Sequence, residues 1–255
     1  MKLKNKVAVV TGGNSGIGFG IAEAFESEGA IGAIVGRNQE TLSQSVAALG
    51  ENFIGIKADV TIMDDLDRVF KDTHEKFGKI DTVVVNAGGV VDGVDMGSVA
   101  TLSEFGYDQN MNLNLKSVYF TVQRALPFMN DGGSIVLIGS IAGHRAFPGQ
   151  SLYAGAKAAI ISFARGFSLD LLDRKIRVNV LSPGTIDTPV FDKFLPEEQV
   201  ETVKNLWVDL IPAGRIGQPS DIGKAAVFLA SGESSFVVGT EIISDGGVLN
   251  ITNLK

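Results

Sequence analysis

Seven short apolar, β-branched runs alternating with longer helical patterns predict an α/β fold: a single-domain Rossmann-type doubly wound parallel sheet with helices on both faces. Two further observations agree. Most of the runs are close to continuously apolar rather than apolar at every second residue, as expected of strands covered on both sides. A glycine-rich turn, Thr11-Gly-Gly-Asn-Ser-Gly-Ile-Gly18, follows the first run directly. Strands are expected at residues 7–11, 32–35, 53–56, 82–85, 134–138, 177–181 and 241–243. Helices are expected near 17–29, 39–49, 63–77, 101–129, 151–173 and 219–231. No repeat or Pro/Ser-rich linker divides the chain, so residues 1–255 read as one domain. Residues 188–215 break the alternation, being helical and rich in large apolar side chains (Phe191, Phe194, Leu195, Leu206, Trp207). In a doubly wound sheet ligands sit outside the carboxyl ends of the strands, and this excursion can reach over that edge as a lid.

Composition narrows the function classes. The chain has no Cys, which excludes a disulfide framework, a thiolate nucleophile and a Cys-ligated metal. A net charge of −7 makes a phosphate-backbone partner unexpected. Met1-Lys-Leu-Lys-Asn-Lys runs straight into the first strand without a signal peptide, and no charge-free run approaches the ~20 residues of a membrane helix. A soluble cytoplasmic protein is the expectation, with the mean hydropathy of +0.22 attributed to buried parallel sheet.

The first turn has the spacing Gly12-x-x-x-Gly16-x-Gly18 and opens a helix. Glycines there permit close backbone approach, and the helix N-terminus offers free N–H groups to a pyrophosphate, making Gly12, Asn14, Ser15, Gly16, Ile17 and Gly18 a candidate cradle. A glycine-rich connection with no ligand is the alternative. Asp59-Val60, ending the third strand, offers a carboxylate to an adenine amino group or serves as an N-cap or turn residue. Asn86-Ala87-Gly88 is a small-residue floor or a simple turn with a capping Asn. The second strand ends Gly36-Arg37-Asn38, with no acid to accept hydrogen bonds from a ribose 2′-OH. Arg37 stands there instead, and guanidinium matches a 2′-phosphate, unless it is a surface residue only.

Tyr153 and Lys157 stand four residues apart in a helical stretch, which puts phenol and ammonium on one face. A phenol with a reference pKa of about 10 is a poor base at neutral pH. A fixed positive charge beside it favours the phenolate, so the pair can move a proton on or off an alcohol oxygen. Ser140 ends the fifth strand and can face the same pocket, and Asn114 lies in the long helix before it.

With Ser182-Pro-Gly184, Thr188, Arg215-x-Gly217 and Asp245-Gly-Gly247, these motifs run in order over essentially the whole chain, which resembles a short-chain dehydrogenase/reductase. The resemblance implies a nicotinamide cofactor and a tetrad of Asn114, Ser140, Tyr153 and Lys157. Tyr153 would be acid/base, Ser140 would bond the substrate oxygen, Lys157 would lower the Tyr pKa and hold the nicotinamide ribose, and Asn114 would position a relay water. Pro183, Gly184, Ile186 and Thr188 would bracket the nicotinamide carboxamide. Departures are few: Gly139 replaces a frequent serine, Val85 a common Asn, and Gly155 a usual Ala or Ser. Gly155 costs up to about 1 kcal/mol of helix propensity, which argues for close backbone packing there.

Within the family the chain looks most like bacterial NADPH-dependent dehydrogenases of secondary alcohols, with NADP(H) as the expected cofactor. Similar scaffolds reduce 3-oxoacyl thioesters or oxidise sugars. Phe147, Phe191, Leu195 and Trp207, with Ser140 and Tyr153, form the expected substrate pocket, apolar enough to favour ketones over sugars. A nucleotide sensor without catalysis is the competing class, though such a sensor could lose Tyr153 or Lys157 and here both stand. An epimerase or dehydratase is disfavoured by the short chain. His144 reads as a solvent-exposed loop residue, with substrate contact as the alternative, and His74 as surface; no metal is expected. The small residues Ala154, Gly155, Ala156, Ala158 and Ala159, taken with the resemblance, point to a homotetramer.

Overall fold

The computed structural model describes residues 1–91, 93, 94, 98–189, 191 and 196–251. Seven strands form one parallel sheet: β1 (Val7–Thr11), β2 (Ile31–Gly36), β3 (Phe53–Lys57), β4 (Ile80–Val85), β5 (Met129–Ile138), β6 (Arg177–Pro183) and β7 (Glu241–Ser244). Their order is β3-β2-β1-β4-β5-β6-β7. The chain therefore winds outward from β1 to β3, returns to place β4 on the other side of β1, and winds out again to β7. That reversal creates a crevice between the carboxyl ends of β1 and β4, where such sheets take nucleotides.

Strand residues alternate between two apolar layers. Val7, Val9, Val35 and Val85 face one layer, with Leu66 and Phe70 of α3 (Met63–Phe77), Val122 of α5 (Ser117–Ala125) and Ile160 and Ala164 of α6 (Ser151–Asp170). Ala8, Val10, Ile34 and Val84 face the other, with Ile21 and Phe25 of α1 (Gly16–Ser27) and Leu42 of α2 (Gln39–Leu49). Ile222 and Leu229 of α8 (Pro219–Ala230) complete it. The doubly wound α/β prediction holds.

Three boundaries differ from the expectation. The single helix expected at 101–129 is α4 (Glu104–Met111), a π-helical turn (Asn112–Lys116) and α5, closed by a 3₁₀ turn (Leu126–Phe128). The widened turn carries Asn114, and π insertions of this kind concentrate at functional sites. Strand β5 starts five residues early, at Met129, but its pairing with β4 is irregular between Ile80 and Thr82, because Gly132 turns the chain at φ +76°. Helix α6 stops at Asp170, and Lys175 in the left-handed region (φ 53°) turns the chain into β6.

The segment after β6 contains α7 (Glu197–Leu210). A third apolar cluster lies beneath it, formed by Ile141, Phe191, Ile211, Ile216 and Val248, with Phe147, Val200, Val203, Trp207 and Leu249 packed around. The segment thus rests on the loop after β5, on Ile243 of β7 at the edge of the sheet and on the C-terminal segment. His74 is half-buried with its ring 5.6 Å from that of Phe128, rather than free at the surface. No helix among the described residues is long and apolar enough to cross a membrane, and they contain no cluster of His, Cys, Asp or Glu that could hold a metal ion.

Candidate active site

The hydroxyl of Thr11, the last residue of β1, joins the two halves of the crevice. It donates to Val84 O (3.3 Å) and accepts from the backbone N–H of Asn86 (3.0 Å) and Ala87 (3.1 Å). The Asn86 amide donates to the carbonyls of Thr11 (2.9 Å) and Gly12 (3.2 Å), bracing the glycine turn from the β4 side. This is more than the floor or turn its sequence offered. A Cβ on Gly18 would overlap Gly12 O and Asn86 Nδ2, so only glycine permits this approach. Ser15 precedes α1 without a side-chain cap, which leaves the first N–H groups of that helix facing the turn. A pyrophosphate fits such a cradle. Ile17 packs its side chain against the core. A Cβ placed on Gly16 would stand 3.3 Å from Thr188 Cγ2, so the segment that begins at Thr188 lies over the turn.

At the adenosine end the residues divide. Asp59 uses Oδ1 in a turn, accepting from Thr61 N (2.9 Å) and Thr61 Oγ1 (2.7 Å), which is the turn role the sequence left open. The Val60 side chain is buried in the core, so only its backbone is placed to meet a ligand. Arg37 is exposed just past β2. Asn38 departs from the expectation: its Oδ1 caps α2, accepting from Glu40 N (2.9 Å) and Thr41 N (3.1 Å), and only Nδ2 remains to donate to a phosphate.

The chemical end is assembled from three elements. Lys157 is buried in α6, and its Nζ donates to Ile138 O at 2.8 Å and lies 5.5 Å from the Tyr153 ring centre. Ser140 caps a 3₁₀ turn (Ile141–Gly143), its Oγ accepting from Ala142 N at 3.1 Å, and it shares a hydrogen bond with the Tyr153 phenol. Asn114 holds Gly89 by a reciprocal pair: Gly89 N donates to Oδ1 (2.7 Å) and Nδ2 donates to Gly89 O (2.9 Å). A Cβ on Gly88 would stand 3.2 Å from Asn114 Oδ1 and 3.8 Å from Lys157 Nζ. Four residues scattered over forty-odd positions of sequence therefore converge beside the glycine turn.

The electrostatics correct one expectation. Lys157 does not pull the Tyr153 phenol below its ordinary range. Burial pushes that phenol above 10.0, and the Ser140 hydrogen bond opposes the rise only in part. Tyr153 is half-buried, and its enclosure by protein is the first cause of that rise. The same enclosure lowers Lys157 from 10.5 to about 8. At neutral pH the site holds a neutral phenol beside an ammonium, an arrangement that can donate a proton.

Gly139, one of the departures, has a packing reason: a Cβ there would overlap Ser182 Oγ and stand 2.7 Å from Val180 Cγ1. Ser182 Oγ donates to Glu241 Oε1, and His144 Nε2 lies 2.8 Å from Glu241 Oε2. His144 thus ties the Ser140 loop to β7 rather than turning toward substrate. Gly155 departs from the expectation of close packing, since a Cβ there meets nothing within 4 Å.

Sequence reasoning missed how the 184–188 segment is held. Gly184 N donates to Ser244 O (3.0 Å), Asp187 N to Gly217 O (2.8 Å) and Gly217 N to Thr185 O (3.0 Å), with Ile186 paired to Gly217 as an isolated bridge. Arg215 anchors that strip on Asp221 of α8 (2.7 and 2.9 Å). Pro183 ends β6, while the Ile186 side chain joins the core. The Arg215-x-Gly217 motif was the available signal. Phe147 and Trp207 meet with ring centres 6.2 Å apart, and Phe191 is buried beside Ile141. Leu195, like Phe194, lies outside the described residues.

The family description "Enoyl-(Acyl carrier protein) reductase" matches residues 12–249. The chain belongs to the short-chain dehydrogenase/reductase family. It is 40% identical to an oxidoreductase of Sarocladium schorii over 98% of both chains. It is 36% identical to the 3-oxoacyl-acyl-carrier-protein reductase of Thermotoga maritima, over 98% of this chain and all of that one (100%). A solved short-chain dehydrogenase/reductase from Brucella melitensis, titled as a glucose/ribitol dehydrogenase, superposes with a TM-score of 0.90 at 33% identity, covering 98% of this chain and 99% of that one. A second, from Serratia marcescens, gives 0.87 at 30% identity over 97% and 99%. This short-chain dehydrogenase/reductase is therefore an oxidoreductase of a family that uses a nicotinamide cofactor, and its glycine cradle fits one.

Proposed function

We propose that this short-chain dehydrogenase/reductase is an NADP(H)-dependent enzyme interconverting a secondary alcohol and a ketone within a single dinucleotide-binding and catalytic domain, with residues 188–215 as its substrate lid. The observation that carries this reading is the enclosed Ser140–Tyr153–Lys157 group beside the cradle. The nicotinamide, when bound, supplies the hydride to the carbonyl carbon or takes it from the carbinol carbon. Gly12, Asn14, Ser15, Gly16, Ile17 and Gly18 hold the pyrophosphate, Arg37 and Asn38 the 2′-phosphate, and Asp59 and Val60 flank the adenine. Asn86, Ala87 and Gly88 floor the crevice, while Pro183, Gly184, Ile186 and Thr188 bracket the carboxamide. In reduction Tyr153 Oη gives its proton to the substrate oxygen as the new O–H bond forms, with Ser140 Oγ bonding the same oxygen. Lys157 stabilises the phenolate left behind and reaches the ribose. Asn114 fixes the Gly89 backbone beside the ammonium and positions a relay water.

The apolar cluster of Phe147, Phe191 and Trp207 beside the Ser140 loop supports a substrate side that suits alkyl and aryl ketones, with Leu195, which lies outside the described residues, as a further proposed contact. The Thermotoga maritima relative favours a second reading, reduction of a 3-oxoacyl thioester. Assaying aryl ketones, 3-oxoacyl thioesters and aldoses with NADPH and NADH separates them. Higher kcat/KM for a thioester selects the second reading, and faster oxidation of glucose than of every alcohol overturns both.

The assembly we propose is a homotetramer acting on small-molecule substrates in the cytoplasm. Its support is the outer surface of α4, α5 and α6. Phe105, Tyr119 and Leu169 are exposed there, and Gly155 leaves room for a second chain.

A further inference from the structure

We propose that Asn14 closes the adenosine-ribose subsite to a carboxylate at position 36 and so fixes the site in a form that receives a 2′-phosphate; this inference rests on the NADP(H) reading above. Gly36 ends β2, and the glycine turn is bonded alongside it through Gly13 N to Val35 O at 3.1 Å. Position 36 is where an acid would accept hydrogen bonds from a ribose 2′-OH. A Cβ there would overlap Asn14 Oδ1 and stand 2.5 Å from its Cγ and 3.1 Å from its Cβ. The vacancy for an acid is already filled by an amide.

That amide is tethered. Its Nδ2 donates to Thr41 Oγ1 at 2.7 Å, and the Asn14 carbonyl accepts from Ser45 Oγ at 3.1 Å. Thr41 belongs to the first turn of α2, where its own N–H is capped by Asn38 Oδ1 at 3.1 Å. Swinging the Asn14 side chain aside would break its bond to this capped turn. Moreover the atom that Asn14 presents to position 36 is its oxygen, the negative end of the amide dipole, which opposes a carboxylate electrostatically as well as sterically. Gly36 is therefore the residue Asn14 permits, and the ribose selectivity belongs to the pair.

The test is a double-mutant cycle between Gly36→Asp and Asn14→Ala, read by thermal unfolding of the protein without nucleotide and by titration with 2′,5′-ADP, 5′-AMP, NADP⁺ and NAD⁺. Gly36→Asp alone is expected to lower Tm by roughly 2–10 °C, the range for overpacking in a chain of this size, and to weaken all four ligands. Adding Asn14→Ala is expected to recover most of that loss and to tighten NAD⁺ at least tenfold over Gly36→Asp alone. Gly36→Ala repeats the cycle with the steric effect only, should the aspartate variant fail to fold. Additive Tm changes in both cycles overturn the proposal, whichever cofactor the unmodified protein prefers. Tighter NAD⁺ than NADP⁺ binding by the unmodified protein, with a coupled cycle, instead overturns the NADP(H) reading and leaves Asn14 as the barrier to an acid at position 36.

Discussion

Replacing Lys157 by Met should change the pH dependence of stability while abolishing turnover, because the ammonium is held in the protein at a cost. Lys157 is buried, and burial takes its pKa from 10.5 to about 8. At ~1.4 kcal/mol per pH unit, the buried charge costs about 3 kcal/mol at neutral pH. The folded chain releases the proton near pH 8 and the unfolded chain near 10.5. Between those values the unfolded state binds more protons, so stability rises with pH, and below pH 8 the full cost is present. Met removes the charge but leaves the Ile138 carbonyl without its donor, a penalty of about 1–3 kcal/mol. The absolute stability at pH 7 is therefore a poor readout and the slope a good one. From pH 7 to pH 10 the unmodified protein should gain about 2–3 kcal/mol over Lys157→Met, measured by urea unfolding at each pH. Above pH 10 the comparison is confounded, because Tyr153 is raised above 10.0 and costs stability as it ionises. Parallel curves for the two proteins would refute the argument, and would mean that water reaches the ammonium.

Three further outcomes can be checked. Tyr153→Phe should lower kcat by ~10²–10⁴-fold with NADP⁺ affinity largely kept by titration; near-full activity would remove Tyr153 from its role. Asp221 is held down to about 2, first by the Arg215 hydrogen bond and then by the Gln218 N–H. Its contribution is present above the unfolded carboxylate pKa of 3.8 and lost as pH falls through about 2. Asp221→Asn should therefore destabilise at pH 6 but no longer once the pH falls below about 2, an effect kept small by solvent screening. Light scattering at micromolar concentration should give a tetramer, and Gly155→Arg on the open face of α6 should reduce it to smaller species; a monodisperse monomer of the unmodified protein contradicts the assembly.

The parts of the fold legible in the sequence are those set by local pattern. Val7–Val10 and Val83–Val85 are continuous apolar runs because both faces of the sheet are covered, and their shortness and β-branching mark them as strands. The π turn at Asn112–Lys116 was not legible, since Asn-Leu-Asn-Leu-Lys contains neither Gly nor Pro to mark a break. It carries Asn114, which is bonded to Gly89 25 residues away, and a contact at that separation leaves no local trace. The early start of β5 failed for the opposite reason. Asn130-Asp-Gly-Gly133 reads as a turn and is one, but it is enclosed within a strand that has already paired at Met129.

The site shows the same division more sharply. Spacing alone placed Tyr153 and Lys157 on one helical face, and the structure keeps them there. Spacing could not fix the sign of the phenol's shift, which depends on how much of the surrounding volume is protein. An ammonium about one turn away would lower a phenol in water, yet here enclosure raises the phenol and lowers the ammonium together. Both shifts bring the pair toward states with less buried charge. The consequence is directional: the neutral phenol is the donor for reduction, whereas oxidation first requires its proton to leave. Below the Tyr153 pKa, then, oxidation should accelerate with rising pH while reduction does not depend on making a phenolate, and a common pH profile for the two directions would contradict this account of the site.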